Sequence, residues 1–159
     1  MATQLVHWLK PDHDERADLA VLIVSWKVKE LVLKNLVALL ASEGSIKVEL
    51  IVIDNASEDG TVEAIRANFP QVRVIANAYN AGFSLANTQG MLAMHTRHCL
   101  LLNPDMLVES DALQKTVEYL DLHPEVGVLG AALRLLDGKM LKHMRRFPTL
   151  ASQSAILLK

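Results

Sequence analysis

Four apolar runs, each stopping abruptly at polar residues, constrain this chain more than any other feature. Leu19-Ala20-Val21-Leu22-Ile23-Val24 stops at Ser25, and Val48-Glu49-Leu50-Ile51-Val52-Ile53 stops at Asp54-Asn55. Val72 to Ala76 leads into the polar loop Asn77 to Gly82, and Cys99-Leu100-Leu101-Leu102 stops at Asn103-Pro104-Asp105. Runs that are apolar at nearly every position, rather than at every second one, are what strands covered on both faces require. Helical rhythm fills the gaps. Lys27 to Ser42 sets Leu31, Leu36, Leu39 and Leu40 among charges and closes at Gly44-Ser45. Ser57 to Thr61 offers capping side chains for a helix to about Phe69, which Pro70 ends. Ser84 is a cap for a third helix to about Thr96, and Asp111 to His123 reads as a fourth, closed by Pro124.

Strand–helix alternation repeated four times predicts an α/β fold: a mostly parallel, doubly wound, Rossmann-like sheet with right-handed crossovers. Val126 to Leu136 reads as a strand with glycines, Asp137-Gly138 as a two-residue hairpin turn and Lys139 to Met144 as the return strand. An antiparallel hairpin is therefore expected near the C-terminus. Residues 1–17 show no clear period and read as a leader. Residues 18–150 make one domain, as 159 residues predict. Residues 151–159 read as the start of a further segment, whose apolar face would invite self-association.

Bulk properties narrow the function classes. A net charge of −2 argues against nucleic-acid binding by phosphate neutralisation. The apolar runs are too short and too interrupted for a transmembrane segment, and Met1 to Arg16 lacks a signal-peptide pattern. The single cysteine, Cys99, excludes an intrachain disulfide and fits a reducing, cytoplasmic setting. His95, His98 and Cys99 lack the second ligand pair of a zinc site and read as a surface cluster. The basic run Lys139, Lys142, His143, Arg145, Arg146 is either a solvated hairpin edge or a contact for an anionic ligand.

The chemistry sits where the runs end. In a parallel sheet these ends share one edge, where open α/β sheets hold ligands. Asp54 can accept from the ring N–H of a pyrimidine, and Asn77, Asn80 and Asn87 donate and accept without charge. Gly82 allows close backbone approach, and a helix opening near Ser84 presents N–H groups to a phosphate. Asp105 is a hard oxygen ligand for Mg²⁺ or Mn²⁺ bridging to a diphosphate. No G-x-x-x-x-G-K-[ST] or G-x-G-x-x-G sequence competes as a phosphate motif.

In order along the chain, Val21 to Trp26, Ile51 to Thr61, Asn77 to Asn87, Leu101 to Asp105 and Arg146 to Leu150 resemble the amino-terminal half of family 2 glycosyltransferases with the GT-A fold, notably rhamnosyltransferase-like members. The resemblance implies that Asp54, with Asn55 beside it, contacts the nucleotide base, and that Ser25 and Trp26 line the base and ribose pocket. It implies that Gly82, Phe83 and Asn87 shape the diphosphate and sugar side. Asn103-Pro104-Asp105 would replace the family's D-x-D motif, with Asp105 on the metal and Asn103, the departure from an acid, on ribose or water. Lys27 stands where many relatives carry Asn. The implied function is inverting, metal-dependent transfer from a nucleoside-diphosphate sugar to the hydroxyl of an acceptor glycan or lipid-linked glycan. It would serve surface polysaccharide assembly in the cytoplasm or against the inner face of the membrane. No acid after Asp105 sits in a segment like the family's base motif, so the catalytic base is expected beyond Lys159. Two other readings stand beside this one: a non-catalytic nucleotide-sugar or protein-interaction module, and a phosphoacceptor domain built on Asp54, which the absence of further acids after the first strand disfavours.

Overall fold

The computed structural model describes residues 4–11, 13–135 and 137–141. In chain order the elements are β1 (His7–Trp8), β2 (Ala17–Ser25), α1 (Lys29–Leu40), β3 (Lys47–Asp54), α2 (Thr61–Asn68), β4 (Val72–Ala76), α3 (Gly82–Ala93), β5 (Thr96–Leu102), α4 (Ala112–Leu122), β6 (Leu133–Arg134) and β7 (Met140–Leu141). The chain divides into two compact units, Met1–Pro124 and Glu125–Lys159.

The first unit is a five-stranded sheet in which every pairing is parallel. β3 lies next to β2, which in turn pairs with β5 on its other side. The far edge of β3 is shared end to end: β1 pairs with Lys47 and Val48, and β4 with Leu50 to Asp54. The chain therefore steps outward from β2 through β3 to β4, then returns across α3 to place β5 on the opposite side of β2. That reversal makes the β2/β5 boundary the topological switch point, outside which ligands of open α/β sheets bind.

Alternation along each strand divides the core between two faces. Leu19, Val21 and Ile23 of β2 and Val48, Leu50 and Val52 of β3 pack with Val32, Leu36 and Leu39 of α1, Ile65 of α2 and Leu113 and Val117 of α4. Ala20 and Leu22, with Ile51 and Ile53, meet Ala86 of α3 on the other side. Full burial of such side chains stabilises by about 1.5–3 kcal/mol each. α3 approaches the sheet closely because position 90 is glycine: a Cβ there would lie 2.9 Å from both Ile53 Cδ1 and Leu22 Cδ1.

Four elements differ from expectation for identifiable reasons. Part of the leader is stitched to β3 and α1: Val6 N–H donates to Ser42 O, His7 N–H to Ile46 O and Leu9 N–H to Val48 O, with Val6 and Leu9 buried. α3 begins at Gly82 rather than Ser84, because the Asn80 side chain accepts the Gly82 N–H at 2.9 Å and Gly82 takes φ 77°. In the second unit, the strand expected over Val126 to Leu136 is reduced to Leu133–Arg134. Gly127 and Gly130 interrupt it, and Val128 is 92 % exposed. The turn joining β6 to β7 is longer than two residues: Leu135 N–H donates to Lys139 O and Gly138 N–H to Leu135 O, with Gly138 at φ 84°. The expected return as far as Met144, the Lys142 to Arg146 basic run, the Arg146 to Leu150 segment and residues 151–159 lie outside the described residues.

Candidate functional site

The strand register brings the polar run ends to one edge. Ser25 pairs with Asp54, Asp54 with Ala76, and Ile23 with Leu102. Asp54 and Asn103 are thus two strands apart across the tip of β2, about 10 Å at ordinary strand spacing. Continuing the alternation, Ser25 and Asp54 point to the α1/α2 face and Asn55 to the α3 face.

Asp54 is 3 % exposed and has no ion pair among the described residues. Both its carboxylate oxygens are held by one residue: Ser57 N–H donates to Oδ2 at 2.9 Å and Ser57 Oγ–H to Oδ1 at 2.5 Å. Ser57 Oγ also accepts the N–H of Lys27 at 2.9 Å. Lys27, Ala56 and Glu58 sit at φ 54–55°, the non-glycine positive-φ residues of the described chain. Each such residue costs of order 1–3 kcal/mol and persists only where its surroundings over-determine it. Here the two loops after β2 and β3 clamp each other. Asp59 completes the clamp by accepting from Lys29 N–H at 3.3 Å and Thr61 N–H at 3.0 Å, and from the Thr61 hydroxyl. Burial pushes the Asp59 carboxyl upward, but these hydrogen bonds outweigh it and leave it below the usual carboxylate range.

Beside this clamp lies a cavity of about 320 Å³, floored by Asp54 and Ser57, walled by Thr61, Glu63 and Arg66 of α2, and closed by Asn77 and Ala78. On the α3 side, carboxamides form a chain. Asn77 Nδ2 donates to Asn55 Oδ1 and to Gln89 Oε1, both at 2.9 Å; Gln89 Nε2 returns a bond to Asn77 Oδ1; Asn55 Nδ2 reaches Gly82 O at 3.4 Å. The ends of β3 and β4 and the start of α3 are fixed to one another by these amides.

Of the residues expected to bind ligand, Asp54 and Asn77 line the cavity. Ser25 faces inward, fully buried, with a hydroxyl that has no hydrogen-bond partner among the described residues. Trp26 is 52 % exposed at the tip of the sheet, with Lys27 Nζ 5.6 Å from its ring centroid. Asn87 is buried and donates to Phe83 O within its own helix, while Phe83 is exposed. Asn103 and Asp105 are exposed beyond β5.

Two supports were not read from sequence. Asn35, buried in α1, donates Nδ2 to Met106 O, with Asn103 O and Pro104 O at 3.4 and 3.5 Å, and so holds the Asn103–Met106 turn. Its signal was a carboxamide inside the apolar stripe Val32, Leu36, Leu39. Gln89 carries no comparable signal, because its partners are 12 residues away across a loop.

No three His, Cys, Asp or Glu side chains cluster to hold a metal among the described residues. His98 instead bonds Asp121 at 3.0 Å, and burial pushes the Cys99 thiol up, away from the reactive thiolate. Asp105 remains a single exposed carboxylate on a braced turn. That donor set suits a Mg²⁺-type cation whose other ligands are phosphate oxygens and water.

Comparisons with known proteins follow this geometry. Residues 20–155 match the model of Glycosyl transferase family 2. An N-acetylglucosaminyl-diphospho-decaprenol L-rhamnosyltransferase of Mycobacterium tuberculosis is 25 % identical over 114 residues, covering 65 % of this chain and 37 % of that protein. The chain thus spans little more than a third of that relative's length. Among solved structures, S. aureus TarS 1-349 in complex with UDP-GlcNAc superposes with TM-score 0.61 at 16 % identity, over 67 % of this chain and 32 % of that one. The mannosyltransferase PcManGT from Pyrobaculum calidifontis, in complex with GDP-Man and Mn²⁺, gives 0.56 at 22 % identity, over 70 % and 34 %. The sheet order, the site edge and the family match over most of its length agree: this chain belongs to glycosyl transferase family 2 and has its GT-A fold.

Proposed function

We propose that this chain binds a nucleoside-diphosphate sugar at the C-terminal edge of its sheet, for transfer of the sugar to an acceptor hydroxyl. The observation that carries this reading is Asp54: a buried carboxylate without a cation, held rigidly at the floor of a cavity on the family's ligand edge. A buried charge left without a counter-ion is costly, and a ligand N–H donating to it offsets that cost. The solved neighbours bound to UDP-GlcNAc and to GDP-Man and Mn²⁺ support a nucleotide sugar as ligand class.

In this reading the base enters the cavity and donates a ring N–H to Asp54. Trp26 covers the ribose side, and the Gly82 to Asn87 turn borders the diphosphate and sugar. Asn103 meets ribose or water, and Asp105 with the phosphates would hold Mg²⁺ or Mn²⁺, which supplies charge neutralisation for the departing diphosphate. Transfer inverts the anomeric carbon: the acceptor oxygen bonds to it as the bond to the diphosphate breaks, and a carboxylate takes the hydroxyl proton. Asp111 pairs with Lys115, Asp121 with Arg97 and Asp137 with Lys139. None of these three paired acids is assigned as that base. The acceptor is a glycan or lipid-linked glycan by analogy with the rhamnosyltransferase relative, and the working place is the cytoplasmic side of the membrane.

A thermal-shift panel of UDP, dTDP, GDP and CMP, each with and without Mn²⁺, tests the reading. A ligand at about 100 times its Kd stabilises by about 2.7 kcal/mol. A raised Tm with a nucleoside diphosphate and Mn²⁺ supports it. No shift with any of the four overturns it.

A further inference from the structure

We propose that Ser57 is a positioning residue for nucleotide recognition: it fixes the Asp54 carboxylate and ties it to the backbone of the loop after β2. The inference rests on the nucleotide reading above and goes beyond it, because Ser57 makes no ligand contact in that reading.

The geometry is specific. A carboxylate at a strand end can rotate about its terminal torsion, and a single hydrogen bond leaves that rotation free. Ser57 removes it by donating to both oxygens, one from its backbone N–H and one from its hydroxyl. The hydroxyl has one proton, spent on Asp54, and its lone pairs face Lys27 N–H. Donor and acceptor roles are therefore fixed in one direction, from Lys27 N–H through Ser57 Oγ to Asp54 Oδ1. The arrangement forces three non-glycine residues, Lys27, Ala56 and Glu58, into left-handed backbone, two of them flanking Ser57 itself. Ser57 is 2 % exposed, so its hydroxyl is held between the two loops rather than solvated. Preorganisation of this kind has value when Asp54 must present one lone-pair direction to a ligand N–H. The same hydrogen bonds tie Asp54 to the backbone of Lys27, the neighbour of the exposed Trp26.

The test is a double-mutant cycle of Ser57→Ala and Asp54→Asn, read by calorimetric titration in Mn²⁺ with whichever of UDP, dTDP, GDP and CMP binds the parent chain most tightly, with inorganic pyrophosphate in Mn²⁺ as the control. Ser57→Ala is expected to weaken nucleotide binding about tenfold or more, to leave pyrophosphate binding unchanged, and to add almost nothing in the Asp54→Asn background. Ser57→Thr, which keeps the hydroxyl, should restore most of the affinity. Additive losses in the cycle, equal losses for nucleotide and pyrophosphate, or unchanged nucleotide affinity in Ser57→Ala would each overturn the inference while leaving the nucleotide reading intact. Failure of the parent chain to bind any of UDP, dTDP, GDP and CMP overturns that reading, and the inference with it. Should Ser57→Ala not fold, the same substitution in an Ala56→Gly background, where glycine accepts the positive φ without strain, is judged by the same outcomes.

Discussion

In the proposed reading, Asp54 and Asp105 would divide the work of one ligand between two kinds of carboxylate. Asp54 is buried, rigid and already hydrogen-bonded, suited to directional recognition of an N–H. Asp105 is exposed on a turn braced from behind by Asn35, suited to a cation that brings its own waters and phosphates. Their variants should therefore fail differently. Asp54→Ala is expected to lose about 1.5–3 kcal/mol of nucleoside-diphosphate affinity, the worth of a charge-assisted hydrogen bond; equal affinity by calorimetry would exclude that contact. Asp105→Ala should keep the parent's melting temperature, since nothing packs on an exposed carboxylate, and abolish the increment in nucleotide affinity that Mn²⁺ provides. Titrations with and without Mn²⁺ check this, and a preserved increment would remove Asp105 from the metal site. The strand-end position of both residues was legible from sequence because strand ends are where apolar runs stop. Their supports were not: Ser57 meets Lys27 across 30 residues and Asn35 meets Met106 across 71, and such pairings exist once the sheet has assembled.

Among the elements, those with long apolar runs were legible to within a few residues: β2 and β3 are covered by helices and their patterns have one solution, while β5, expected to be covered on both faces, lies at the sheet edge half-buried with Leu101 exposed. β1 escaped notice because two residues carry no period; its place depends on the free upper edge of β3. The expected strand after Val126 differs for the opposite reason, a β-like pattern with a partner among the described residues only at Leu133 and Arg134. The β3–α2 junction carries a testable electrostatic consequence. Asp59 is lowered in the folded chain, so its contribution to stability is fully present above the unfolded carboxylate value, about 3.9, and is lost as pH falls through its lower folded value. Asp59→Asn should be less stable than the parent at neutral pH, and its stability should fall less steeply below about pH 4. Urea unfolding at a series of pH values measures both, and parallel curves for the two proteins would show that the junction does not depend on that charge.

At the scale of the whole molecule, core and site coincide in one unit. The buried hydrophobic residues of the described chain run from Val6 to Val117, and every ligand contact that the family resemblance implies lies between Ser25 and Asp105. The boundary between units falls after Pro124, just past α4, whose Leu113 and Val117 complete the α1/α2 face. The described part of the second unit pairs two residues of β6 with two of β7, and two-stranded hairpins are at best marginally stable on their own. A fragment of residues 1–124 should accordingly unfold in a single cooperative transition and bind the parent's preferred nucleoside diphosphate with Mn²⁺ within about twofold of the parent, a difference under about 0.5 kcal/mol. The measurement is a pair of denaturant curves and titrations on fragment and parent. A fragment that folds but loses nucleotide affinity would mean that residues beyond Pro124 hold part of the ligand, and the site drawn from strand ends alone would have to be extended to include them.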